Sequence, residues 1–128
     1  GLAYYSYSRM GGGLGQGPWR VIAGVNPAHV EQAVASICAE IRRICEEPVS
    51  EEELADNRAF ITGSLPLRLE TNQGMAQAIL DLERYGLGLD YLRRYSGLIE
   101  EITAARVQAA ARRWLDPEAY ALAMAGPP

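Results

Sequence analysis

Lysine is absent from this 128-residue chain, and all twelve basic residues are arginine. Histidine occurs once, at His29, and cysteine twice, at Cys38 and Cys45. Each scarcity excludes a chemistry. A phosphate-binding P-loop needs Gly-Lys-Ser/Thr entering a helix, so the glycine cluster RMGGGLGQGP at 9–18 cannot be one. A dinucleotide loop joins a strand to a helix, whereas this one joins two strand patterns. Helical zinc-hydrolase motifs bring two histidines and a carboxylate together, which one histidine cannot supply. His29 and Cys38 face opposite sides of a helix, so they form no nucleophile–base pair. Cys38 and Cys45, seven apart on one helix, are separated by about 10.5 Å of rise, beyond the ~7 Å reach of a disulfide. They read as two small apolar residues, and unpaired thiols favour a cytoplasmic origin. The chain itself therefore offers no catalytic residue and no metal site. No apolar run approaches the ~20 residues that span a bilayer, which argues against a membrane partner. Acids outnumber bases 16 to 12, for a net charge of −4, which argues against a nucleic-acid partner.

What is present suits a globular fold. Apolar residues make up 48% of the chain and charged residues 22%. That is the balance of an ordinary globular protein, with enough apolar residues to build a core. The start shows no secretory pattern, and a strand pattern opens almost at residue 1. The expectation is a piece of a longer polypeptide, forming one domain over 1–128. LAYYSYS at 2–8 alternates, with Leu2, Tyr4 and Ser6 on one face and Ala3, Tyr5 and Tyr7 on the other. WRVIAGV at 19–25 is a second strand, with Trp19, Val21, Ala23 and Val25 sharing a face. Around the glycine-rich loop the two make an antiparallel hairpin.

Helix signals then follow in series. Asn26 caps a first helix with Pro27 at its start, and Val30, Val34, Ile37, Cys38, Ile41 and Cys45 form its apolar stripe. Glu46-Glu47-Pro48 ends it. Ser50, with Glu53 three residues later, makes a capping box for a second helix carrying Leu54, Ile61 and Leu65. The acidic run at 46–53 is thus helix punctuation, not a pair of catalytic carboxylates. Pro66 should kink or end the second helix. Thr71 caps a third, with Met75, Ile79 and Leu82, and GLGLD at 86–90 breaks it. Asp90 caps a fourth, with Tyr91, Leu92, Tyr95, Leu98, Ile99 and Ile102 on one broad face. Thr103 caps a fifth, with Val107, Ala110, Ala111 and Trp114 inward. The arginine pairs at 42–43, 93–94 and 112–113 read as solvated helix faces. AYALAMA at 119–125 is a last strand. The fold class expected is α+β: an antiparallel sheet of two N-terminal strands and one C-terminal strand, covered on one face by four to five helices.

The ordered set of GLAYYSYS at 1–8, VIAGVNP at 21–27, PVSEEELADNRAFITGSLPLRLETNQGMA at 48–76, ERYGLGLDYLRRY at 83–95 and WLDPEAYALAMAGPP at 114–128 resembles the pitrilysin/insulinase family of zinc peptidases, which includes the mitochondrial processing peptidases. In that family two similar α+β domains face each other across a peptide-binding chamber. The first carries an inverted zinc motif, His-x-x-Glu-His, and the second lacks zinc. The resemblance implies that this chain is the later part of the zinc-free domain. It implies no cofactor in this piece, with zinc in a partner domain or subunit. The zinc-free domain supplies an arginine and, seven residues later, a tyrosine that hold substrate. Tyr4 is the position that matches the tyrosine, while the arginine would precede Gly1. Arg106 departs from the family, which often has an acidic capping partner there.

A phenol aimed at an oxygen where negative charge develops can donate a hydrogen bond to it, and its ring can flank an extended peptide. The implied function is a non-catalytic, peptide-binding domain of a two-part zinc metallopeptidase, with Tyr4 in contact with substrate. The alternative is a structural or assembly domain of the same fold with no part in proteolysis. The expected partners are the zinc-bearing half, a peptide substrate and, for the piece in isolation, a copy of itself.

Overall fold

A computed structural model describes residues 1–126. It is α+β, with one two-stranded antiparallel sheet and five α-helices among the described residues. The chain forms two compact units, one of Gly1–Glu47 with the residues from Gln108 onward, the other of Pro48–Val107.

In the first unit, β1 (Ala3–Met10) and β2 (Trp19–Val25) form the expected hairpin. Its closing bond runs from Gly11 N–H to Pro18 O at 2.9 Å, so the ladder reaches the base of the glycine loop. The register runs evenly from Met10↔Trp19 to Tyr5↔Gly24, then slips, pairing Ala3 with Val25. Tyr4 is thus the extra residue of a β-bulge. Simple alternation, which set Tyr4 and Tyr5 on opposite faces, does not carry through a bulge, because the extra residue re-aims its side chain. A single 3₁₀ turn, Pro27–His29, precedes α1 (Val30–Glu46), and the Asn26 side chain accepts from Ala28 N–H at 3.0 Å as its cap. Helix α1 packs against β2.

The third strand expected at 119–125 is not formed. The segment is chain without a ladder partner, and Tyr120, Leu122 and Met124 are exposed. An alternating sequence makes a strand only where a neighbouring backbone supplies hydrogen bonds, and none among the described residues pairs with this one.

In the second unit, Ser50 accepts from Glu53 N–H at 3.1 Å and opens α2 (Glu51–Leu69). This helix runs through Pro66 rather than ending there. The proline removes one backbone donor in the last turn, while packing of α2 against α3 (Asn72–Arg84) and α4 (Tyr91–Glu100) holds the helix together. Thr71 accepts from Gly74 N–H at 3.0 Å and caps α3. At the far end of α3, Gly86 N–H bonds Glu83 O at 3.2 Å and Leu87 N–H bonds Leu82 O at 3.0 Å. This is a Schellman stop, and it requires the positive φ of +60° that Gly86 adopts. Asp90 does not cap α4 with its side chain; its carboxylate pairs with Arg94 Nε at 2.7 Å instead. Asp90 has helical dihedrals, and a cap needs extended ones to bring the side chain back onto the free N–H groups. Thr103 accepts from Arg106 N–H at 3.2 Å and opens α5 (Ala104–Trp114).

The apolar core is thin. Only Ala33, Leu54, Leu82 and Ala111 are buried among the described residues, and each keeps a little exposure. The chain exposes 9975 Å². Two separate globules, each of half the chain's 14.0 kDa, would together expose about 8100 Å². Tyr4 and Met10 are exposed, and so are Met75, Ile79 and Trp114, which the helix stripes placed inward.

Candidate functional site

Tyr4 is 80% exposed, and its hydroxyl has no hydrogen-bond partner among the described residues. It stands on a strand whose eight residues are all exposed and whose second edge carries no neighbour among the described residues. The bulge is what presents it: an unpaired extra residue bends the strand and frees the side chain from the regular pleat.

Beyond the bulge the pleat is regular. Tyr5, Tyr7 and Arg9 share one face, opposite Gly24, Ile22 and Arg20. The rings of Tyr5 and Tyr7 stack with centroids 6.3 Å apart and planes at 28°. Tyr4, Tyr5 and Tyr7 are all exposed.

A separate open cleft of about 680 Å³ lies within the same unit. Trp19 and Val21 of β2, Val34, Ile37 and Ile41 of α1, and Tyr120 line it, and Tyr4 does not. Its lining is mostly apolar, with Arg20, Cys38 and Asp116 among it.

The sequence's metal and thiol candidates are not brought together. His29 sits exposed in the 3₁₀ turn, and Cys38 and Cys45 are half-buried free thiols. No group of three or more His, Cys, Asp or Glu able to hold a metal ion occurs among the described residues. No helix among them is long and apolar enough to cross a membrane.

The arginines play roles that residue pattern did not show. Arg112 Nε donates to Cys45 O at 2.6 Å, and Gln108 Nε2 donates to Glu46 O at 2.9 Å, so both close the C-terminal end of α1. Arg58 Nε donates to Ile102 O at 3.1 Å, and Arg106 Nη1 to Glu101 O at 3.1 Å, just past the end of α4. Arg106 therefore works as a helix-end donor, which a residue in an acidic capping role could not do. Arg42 pairs with Glu118, Arg43 Nη2 with Glu40 at 2.7 Å, and Arg113 lies 4.9 Å over the Trp114 ring. Only tertiary placement reveals the distant partners, because they lie up to 76 residues apart in sequence.

Residues 1–60 match the family model described as the Peptidase M16 inactive domain. The match contains the hairpin, the bulge with Tyr4, α1 and the start of α2. It supports the peptidase family that the sequence resembles, at the level of a non-catalytic domain of a metallopeptidase-like protein. No curated protein matches the chain.

Proposed function

We propose that this chain is the later part of a zinc-free domain in a two-domain or two-subunit zinc metallopeptidase, and that it binds peptide substrate through Tyr4. The observation that carries this reading is the exposed Tyr4, on a β-bulge inside the matched segment, with its hydroxyl unpartnered among the described residues. A free phenol on an open strand can donate to a peptide oxygen where charge builds up during hydrolysis. In this reading the zinc belongs to the other half, because a chain with one histidine cannot supply the usual catalytic donor set.

The same reading accounts for the thin core. The surplus exposed area is about 1900 Å² against two separate globules. A standard interface takes roughly 800 Å² from each partner, so the surplus is about twice one partner's share. The zinc-bearing half is the partner that covers part of it. With a neighbouring strand in place, 119–125 has the alternation to complete the sheet as its third strand. In isolation the chain pairs with a copy of itself edge to edge, along the unpaired edges of β1 and β2, which leaves the sheet faces open. Sedimentation of the isolated chain at micromolar concentration should give a dimer, and a strict monomer would refute the self-pairing.

The functional test is Tyr4→Phe in the complete peptidase. Turnover should fall, by at most ~10²–10³ for one lost donor, with substrate affinity little changed. Tyr5→Phe keeps its ring packing and should leave turnover intact. Unchanged turnover in Tyr4→Phe would remove Tyr4 from the site and favour a purely structural domain.

A further inference from the structure

We propose that Arg9 and Arg20 together form a receptor for a carboxylate on a bound polypeptide. The register pairs the two arginines directly across the hairpin. Side chains opposed in this way leave the same face with Cβ atoms about 4.5–5.5 Å apart, and like charges so placed destabilise a sheet. Both are exposed, and neither guanidinium has an ion pair or hydrogen bond among the described residues. Their isolation is not for want of acids, because the chain has 16. Arg42, Arg43 and Arg94 each hold a carboxylate elsewhere.

A carboxylate between the two guanidiniums turns this repulsion into attraction. Each guanidinium presents a planar fork that matches carboxylate geometry. The neighbourhood suits a peptide as the carrier. Tyr5 and Tyr7 continue the same face at two-residue steps, which is the spacing of alternate side chains on an extended chain. Beside the pair, the loop glycines Gly12, Gly13 and Gly15 leave open space. Two arginines in a chain of net charge −4 suit a single acidic group rather than a polyanion. This site is independent of Tyr4 and stands or falls whether or not Tyr4 touches substrate.

The test uses a capped pentapeptide with a central glutamate and its glutamine counterpart, titrated into the 128-residue chain while arginine Nε–H signals are followed by NMR. The glutamate peptide should bind roughly fivefold more tightly, the upper end for an exposed ion pair. Arg9→Gln and Arg20→Gln should each remove that preference while leaving binding of the glutamine peptide unchanged. Neither variant should melt earlier than the parent, because each relieves a like-charge pair, so lost preference cannot be put down to unfolding. Equal binding of the two peptides, binding of neither, or a preference that survives in the double variant would overturn the proposal. So would displacement of the glutamate peptide by an equal concentration of inorganic phosphate, which would make the pair a site for free phosphate.

Discussion

The phenol ring of Tyr5 lies across the Cα of Gly24, its partner in the hairpin. A methyl group built on Gly24 would come within 2.4 Å of Tyr5 Cε1 and 2.7 Å of Cζ. A strand glycine leaves a gap in the pleated surface, and an aromatic ring from the neighbouring strand covers it. The ring is then held where it stacks on Tyr7. The residue next to the bulge is thereby anchored, and the bulge itself stays at Tyr4.

Gly24→Ala should push the Tyr5 ring aside and break its stacking on Tyr7. The ring can swing, so the expected loss is about 0.5–1 kcal/mol, the scale of one cross-strand pair. Thermal melting gives the stability, and near-ultraviolet circular dichroism should show weaker tyrosine coupling. An unchanged tyrosine signal would contradict the packing.

Ser50→Ala should lower stability by about 1 kcal/mol, because Glu53 N–H loses its acceptor at the start of α2. Ser50→Asp should restore most of it. Chemical denaturation of the three proteins is the measurement, and equal midpoints would show that the cap contributes nothing.

Arg58→Met should cost about 0.5–1.5 kcal/mol, the net scale of one hydrogen bond at a part-buried site. The half-buried guanidinium donates to Ile102 O, and methionine keeps the apolar stem while leaving that carbonyl unpaired. Hydrogen exchange should quicken first in the last turn of α4 and spare β1 and β2. Uniform loss of protection would assign Arg58 a different role.

The purified chain should bind no stoichiometric zinc and cleave no peptide, since His29 is its single histidine and stands apart from both thiols. Elemental analysis finding one tightly held zinc per chain would refute this. So would peptidase activity that survives repurification and is blocked by a chelator.

Most of the local structure was legible in residue order. Asn26, Ser50, Thr71 and Thr103 cap helices as their types and spacing foretold, because a cap is made between residues two or three apart. The hairpin was legible too, since alternation and a glycine-rich turn are short-range signals. Asp90 shows where such reading stops. The residue type suited a cap, but its backbone was already helical, and Arg94 took the carboxylate.

The sequence by itself determined the hairpin, the four working caps, the apolar stripe of α1 and the scarcity of imidazole and thiol donors, all consequences of residue type and near-neighbour spacing. Tertiary structure alone decided the rest. It placed the bulge at Tyr4, because bulges arise from how two strands pair and not from either strand's pattern. It let α2 pass Pro66, where packing outweighs one missing hydrogen bond. It left 119–125 out of the sheet, because a strand exists only beside a partner backbone. It also set Arg9 against Arg20, a juxtaposition made by register across the glycine loop that neither strand's sequence could announce alone.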